Sequence, residues 1–160
     1  MIFRRLTLHN FRQFVGTHEI FFASEPDRNV TVIHGDNGSG KTTILNAFTW
    51  LFYQETSSDF EFPERLGSEA GLAELSPQST LDVYVDLEFE DSGRVYTIRR
   101  TTSATKDLEG KRSDSAQTSL RVSFIDETGE VQDPGNPQNF IEHLLPKPLY
   151  PFFFFNGDDS

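Results

Sequence analysis

The sequence Gly-Asp-Asn-Gly-Ser-Gly-Lys-Thr at positions 35–42 decides the fold class of this 160-residue chain. It matches the pattern Gly-x-x-x-x-Gly-Lys-Thr in full, and its three glycines allow positive φ and close approach of the backbone to phosphate oxygens. The β-branched run at 30–34 predicts a buried central strand before this loop. The apolar spacing of 42–53 predicts an amphipathic helix after it. A strand, a glycine-rich loop and a helix in this order predict an α/β P-loop core that binds a nucleoside triphosphate.

Each polar residue in and after the loop has a predicted role in holding ATP with Mg²⁺. Lys41 supplies a positive charge for the β- and γ-phosphates, the Thr42 hydroxyl binds Mg²⁺, and Thr43 reaches the α-phosphate. The helix that begins near Lys41 directs the positive end of its dipole at the same oxygens. The loop pattern by itself is compatible with ATP and with GTP. The predicted cofactor-binding residues of this segment are Asp36, Asn37, Gly38, Ser39, Gly40, Lys41, Thr42 and Thr43.

The rest of the chain is typical of antiparallel β-structure. A strand at 2–9 is followed by a returning strand at 16–22, and a hairpin joins 81–90 to 94–101 around an Asp-Ser-Gly turn. The four consecutive phenylalanines at 152–155 indicate a strand buried on both faces rather than a surface for stacking bases. The other predicted elements are a loop at 54–80, a mobile polar segment at 102–117, a strand at 120–125, a short helix at 137–145 and a strand at 150–155.

These elements group into four predicted units within one domain of 1–160. The units are a β-core with the P-loop and first helix at 1–55, a loop insertion at 56–80, a β-hairpin subdomain at 81–125, and a helix followed by a strand at 136–158.

Composition excludes several classes of site and partner. The chain has no cysteine, which excludes disulfides and thiolate metal sites, and no apolar run approaches the roughly 18 residues that a membrane span needs. We expect a cytoplasmic protein without a membrane contact. The net charge of −11 opposes nucleic-acid binding, but residues 94–121 carry a local charge of +4, which leaves −15 on the remainder. This basic stretch is either a local contact for a polyanion such as DNA or a solvated hairpin face.

The acidic pair that an ATPase needs is not evident in the sequence. A second apolar strand ending in two acidic residues would hold Mg²⁺ and polarise the attacking water, but only 123–127 and 152–159 come near this pattern. Residues 123–127 have a short apolar run that leads into a glycine turn, so we interpret them as a strand end. No Leu-Ser-Gly-Gly-like signature is present either. We therefore expect ATP binding with little or no hydrolysis by these 160 residues alone.

Two segments carry a resemblance to a known family. The opening Leu6-x-Leu8-x-Asn10-Phe11-Arg12 and the stretch from 35 to 47 resemble the N-terminal part of the head of SMC-like ABC ATPases, which include the SbcC, RecF and DndD-like proteins. The similarity is closest to the DndD-like proteins, whose N-terminal half also has a Phe-rich strand before a short acidic tail, here Phe152 to Asp158.

The resemblance implies an incomplete half-domain: an N-terminal lobe with an antiparallel β-subdomain. The C-terminal half of the same protein would bring the signature and the acidic pair, and two heads would dimerise around ATP. It also implies three further site residues. Arg12 resembles the arginine near the nucleotide phosphates, Asn156 takes the place of the Q-loop glutamine as a catalytic and Mg²⁺-binding residue, and Asp158 shares its catalytic role. DNA repair, DNA maintenance or anti-phage defence is the implied process, with DNA contacted through the full-length protein.

Two other functions remain open at the level of sequence. One is a nucleotide-dependent switch that does not hydrolyse ATP, which would lack an acidic pair downstream. The other is the head of an OLD-type nuclease, which would be followed by a Toprim-like acidic cluster rather than a heptad coiled coil.

Overall fold

A computed structural model describes residues 1–25, 27–28, 30–33, 40–56, 62–152 and 154. Its described part contains seven strands, three α-helices and one 3-10 helix. The strands are β1 (Ile2–Phe11), β2 (Phe14–Phe21), β3 (Thr80–Asp91), β4 (Arg94–Lys106), β5 (Arg112–Asp114), β6 (Ser119–Ile125) and β7 (Val131–Gln132). The helices are α1 (Lys41–Tyr53), α2 (Glu69–Ala73) and α3 (Pro137–Leu144), and the 3-10 helix spans Lys147–Phe152.

All seven strands belong to one antiparallel sheet. Its order is β2-β1-β3-β4-β6-β7, and β5 pairs with the end of β4. The predicted strands at 81–90, 94–101 and 120–125 are confirmed. They share a sheet with the N-terminal strands, because β1 pairs with β3 along nearly its whole length. The predicted α/β class with an antiparallel β-region is therefore correct.

One face of the sheet is apolar because alternate residues of each strand point to it. Leu6, Val85 and Ile98 are fully buried there, and α1 packs its apolar side on the same face, with Trp50 and Leu51 buried. Full burial of a large apolar side chain contributes about 1.5–3 kcal/mol, so this layer holds α1 on the sheet.

The β3–β4 hairpin forms where the sequence predicts it. Ser92 and Gly93 have φ of 52° and 81°, the two left-handed residues of a tight hairpin turn, and Asp91 pairs with Arg94. Glycine adopts this conformation at no steric cost.

The predicted central strand at 30–34 is wrong for the residues that the structure describes. Residues 30–33 are not in a strand, and Val30 and Val32 are 78% and 66% exposed. A central strand requires neighbours on both sides, and the described strands pair only with one another. The segment contacts the chain beyond β2 through a hydrogen bond from the Ala23 amide to Thr31 Oγ1 at 2.9 Å.

The predicted strand at 150–155 is also wrong where it is described. Lys147–Phe152 forms a 3-10 helix that contains Pro148 and Pro151. Proline has no N–H to donate to a strand ladder and fixes φ near −65°, so these prolines outweigh the apolar composition. The predicted loop at 54–80 contains the short helix α2, and the predicted mobile segment at 102–117 contains the end of β4 and all of β5.

Candidate nucleotide site

The last three residues of the glycine-rich motif, 40–42, form the start of α1. Gly40 is the N-cap residue, with φ of 106° and ψ of −1°, and Lys41 is the first helical residue. Gly40 has no side chain that could cap this end of the helix, and the first turn contains no acidic residue. The first N–H groups of a helix have no intrahelical partner and attract anions, so this terminus suits a phosphate group. Residues 34–39 lie outside the described part, and the roles of Asp36, Asn37, Gly38 and Ser39 stay predictions.

The side chains at the helix start provide the chemistry that Mg²⁺ and triphosphate require. Lys41 is half-buried, Thr42 is exposed, and Thr43 is buried. A cation, a hydroxyl and the N–H groups of a helix start are donors and ligands for phosphate and for a hard cation. The residues present therefore fit ATP with Mg²⁺. Their individual roles stay predictions.

The φ of Gly40 favours glycine, and the space beside it is tight. A Cβ placed there would lie 3.3 Å from Gln13 Nε2 and 3.3 Å from Phe14 Cζ. The turn between β1 and β2 therefore lies directly against the end of the motif. The Thr43 hydroxyl also donates to Gln13 Oε1 at 2.8 Å. Sequence reasoning missed Gln13, since no pattern around it indicates a contact with a residue 30 positions away.

Arg12 lies in the same turn, and its guanidinium contacts the segment that begins at residue 62. It donates to the backbone carbonyls of Phe62 at 3.2 Å and Pro63 at 2.9 Å. Burial lowers the pKa of Arg12, and the nearby Arg112 lowers it further. Arg12 thus connects the turn to the segment beginning at residue 62, and its predicted contact with phosphate stays a prediction.

Residues 150 and 154 also contact the middle of α1. The Phe154 ring lies 4.5 Å from the Phe48 ring and 5.3 Å from the Phe3 ring, measured between centroids. The Tyr150 hydroxyl donates to the Leu45 carbonyl at 3.5 Å, and burial raises the pKa of Tyr150. Asn156 and Asp158 lie outside the described part, so their catalytic and Mg²⁺-binding roles stay predictions.

The basic stretch at 94–121 does not form one charged surface. Arg100 is 2% exposed, Lys106 donates to carbonyls at the end of α2, and Arg112 pairs with Asp114 at 2.6 Å and donates to the Gly67 carbonyl at 2.9 Å. The interpretation of the whole stretch as a surface for DNA is therefore wrong for these three residues, because their charges are used within the fold.

Asp126 confirms that 123–127 end a strand in a turn. Its carboxylate accepts hydrogen bonds from the Thr128 hydroxyl and amide, from the Glu130 amide and from Gln132 Nε2. The bond from Thr128, followed by that from Gln132, lowers the pKa of Asp126 to about 2. In the described residues no three His, Asp or Glu side chains are arranged to hold a metal ion.

Among the described helices, none has the length and apolar character needed to cross a membrane.

Comparisons with known proteins agree with this geometry. The model of the family described as "AAA domain" matches residues 5–160. The SbcC component of the nuclease SbcCD from Deinococcus radiodurans is 33% identical over 125 residues, which cover 78% of this chain and 12% of that protein. The "DNA double-strand break repair Rad50 ATPase" of Halobacterium salinarum is 34% identical over 105 residues, covering 66% of this chain and 10% of that protein. The chain thus spans about a tenth of the length of these curated relatives.

The fold also has a counterpart among solved structures. A structure from work on ATP-driven dimerization and DNA-stimulated activation of SMC ATPases superposes with a TM-score of 0.51, over 99% of this chain and 95% of that chain. The sequence identity is 14%, so this likeness supports the fold alone. The curated relatives and the fold support the resemblance to an N-terminal segment of an SMC-like ABC ATPase head. The family match over residues 5–160 shows that the chain belongs to the AAA domain family.

Proposed function

We propose that this chain binds ATP with Mg²⁺ as part of an ATPase head that acts in DNA repair, DNA maintenance or DNA defence. The observation that carries the proposal is the start of α1, where Gly40, Lys41 and Thr42, the last residues of the glycine-rich motif, form the N-terminus of a helix. The names of the two relatives, a component of a nuclease and a double-strand break repair ATPase, support a role on DNA. A closer relationship to DndD-like proteins is part of the proposal.

Within this site each residue has a separate task. The Lys41 ammonium balances the charge of the β- and γ-phosphates, and the Thr42 hydroxyl is the Mg²⁺ ligand. Mg²⁺, when bound, draws negative charge from the phosphate oxygens. Arg12 adds a second cation from the β1–β2 turn, and Asn156 with Asp158 orients the attacking water. Thr43 completes the first turn of α1 beside the α-phosphate.

Hydrolysis is proposed to require a C-terminal segment of the same protein and a second head. The solved structure of similar fold comes from work on ATP-driven dimerization of SMC ATPases, which supports a dimer. The exposed apolar residues Val30, Val32 and Ile33 support a neighbouring strand from that segment, since an apolar run of this kind gains stability by burial in a sheet.

Replacing Lys41 tests the proposed ATP binding. We expect ATP with Mg²⁺ to raise the melting temperature of the wild-type protein and to leave that of Lys41→Ala unchanged, because the variant lacks the charge that meets the phosphates. Far-UV circular dichroism should be the same for both proteins.

Lys111→Ala is a matched control, because Lys111 is exposed and lies in the turn between β4 and β5. The control should keep the full ATP-induced shift. A shift of equal size in Lys41→Ala would show that the glycine-rich loop is not the nucleotide site.

A further inference from the structure

Gln13 contacts Thr43 and lies close to Gly40, the residues on either side of Lys41 and Thr42. Its Oε1 accepts the Thr43 hydroxyl proton at 2.8 Å, and Thr43 is 2% exposed. Its Nε2 lies 3.3 Å from the position that a Cβ on Gly40 would occupy. Because the oxygen of the amide is held by Thr43, the nitrogen of the amide remains on the Gly40 side.

The turn that carries Gln13 is itself firmly anchored. Asn10 Oδ1 accepts from the Gly16 amide at 2.8 Å, Asn10 Nδ2 donates to the Asp82 carbonyl at 3.1 Å, and the Asn10 carbonyl accepts from the Ser68 amide at 2.7 Å. Gln13 therefore joins a fixed part of the sheet to the start of α1.

The first turn of α1 needs such an external contact. The opening N–H groups of a helix lack intrahelical partners, and helix ends fray unless other groups hold them. Gly40 has no side chain that could cap α1. The bond between Gln13 and Thr43 fixes the first turn through side chains and uses none of its N–H groups.

We propose that Gln13 is a positioning residue of the nucleotide site. Its amide oxygen holds Thr43, and through Thr43 it keeps Lys41 and Thr42 in the geometry that receives the phosphates. This inference rests on the proposed ATP binding. A hydroxyl has one proton, so while Thr43 donates to Gln13 it offers the α-phosphate its backbone N–H rather than its hydroxyl. Gln13 acts through Thr43 and needs no contact with the nucleotide.

The test is the dissociation constant for ATP with Mg²⁺, measured by calorimetry on the full-length protein. Gln13→Ala and Thr43→Val should each weaken binding about fivefold, the usual value of one hydrogen bond. The double variant should bind no more weakly than either single variant, because both remove the same bond. Thr43→Ser keeps the hydroxyl and should recover most of the affinity that Thr43→Val loses.

The ligand-free melting temperature separates positioning from a purely structural role. Without ATP, Gln13→Ala should melt only slightly below the wild-type temperature, because Gln13 is exposed and only its bond to Thr43 is lost. Gln117→Ala, which removes an exposed glutamine between β5 and β6, is the matched control and should bind ATP like the wild type.

Failure of the inference differs from failure of the proposed function. If wild-type protein binds no ATP, or Lys41→Ala binds it equally well, the proposed function is wrong and the inference falls with it. If ATP binding depends on Lys41 but Gln13→Ala binds like the wild type, or the two single losses multiply in the double variant, only the positioning role is wrong. A large drop in the melting temperature of ligand-free Gln13→Ala would likewise overturn it, because Gln13 would then be needed for folding rather than for positioning.

Discussion

Among single residues, Asp126 has the clearest dependence on pH. Its carboxylate is exposed, yet four hydrogen bonds, first the one from the Thr128 hydroxyl, lower its pKa from 3.8 to about 2. A carboxyl group whose pKa is depressed in the folded state contributes stability above its unfolded pKa. That contribution disappears as the pH falls from about 4 through about 2.

Asp126→Asn should therefore melt below the wild type at pH 5, and the difference should shrink toward pH 2. The physical reason is that the asparagine cannot titrate, while its amide nitrogen replaces the oxygen that accepts from Gln132 Nε2. Melting temperatures of both proteins from pH 5 to pH 2 provide the measurement. A difference that stays constant over this range would show that the charge of Asp126 does not stabilise the turn.

Residue roles in the candidate site could be predicted only where a motif defines them. The spacing of glycines, lysine and threonine predicts the start of α1 and the tasks of Lys41 and Thr42. The contact between Gln13 and Thr43 joins two places that are distant in sequence, and neither neighbourhood indicates the other. The sequence does not predict the burial of Arg100 either. The adjacent Arg99 is 46% exposed, and the two arginines lie on opposite faces of one strand.

At the level of elements, Arg100 connects β4 to the ends of two helices. It donates to the Leu51 carbonyl at 3.1 Å, to Thr118 Oγ1 at 3.0 Å and to Gln138 Oε1 at 3.0 Å. Burial lowers the pKa of Arg100 to about 10. These three acceptors are neutral, so dipoles stabilise the buried charge, including a carbonyl near the C-terminal end of α1.

Arg100→Lys should lower the free energy of unfolding by about 1–3 kcal/mol, because a single ammonium cannot reach the acceptors that the planar guanidinium serves. Urea denaturation measures this difference at an unchanged m-value. Arg121→Lys is the charge-matched control on the neighbouring strand β6, where the side chain is exposed, and it should change stability by less than about 0.5 kcal/mol. Equal free energies of unfolding for the two variants would mean that the hydrogen bonds of the Arg100 guanidinium do not contribute to stability.

Elements were predictable where local sequence decides them. The β3–β4 hairpin follows from strict alternation and a Ser-Gly turn, both contained within a few residues. Residues 30–33 depend instead on distant neighbours, and their β-branched composition cannot indicate whether such neighbours exist. In Lys147–Phe152, the apolar composition favours a strand, but the two prolines cannot donate to a strand ladder and exclude it.

At the scale of the whole molecule, the proposed role on DNA requires basic residues that can contact phosphate on an acidic protein. Of the basic stretch, Arg94, Arg99, Lys111 and Arg121 are exposed. Arg94 lies over the Phe124 ring, and Arg99 pairs with Asp86 and lies opposite Arg121 in the register of β4 and β6. Lys111 and Arg121 are therefore the better candidates for a contact with phosphate, while Lys106 and Arg112 are engaged within the fold. Any contact is weakened by the net charge of −11.

We expect the double variant Lys111→Ala, Arg121→Ala to bind duplex DNA more weakly than the wild type in the full-length, ATP-bound protein. The slope of log affinity against log salt should fall by about 0.9 for each phosphate contact removed. Lys106→Ala is the comparison, since it should reduce thermal stability rather than change the slope. An unchanged affinity and slope in the double variant would identify the exposed arginine and lysine as a solvated face.

The pairing of β1 with β3 has a consequence for synthesis on the ribosome. Leu6 pairs with Leu87, and the ion pair between Arg5 and Glu88 joins residues 83 positions apart. At about 5–20 residues per second, β1 is translated roughly ten seconds before its partner is available. An isolated hairpin of β1 and β2 is at best marginally stable in water. The glycine-rich segment is therefore made before β3, and the sheet beneath α1 can form only after β3 has been translated.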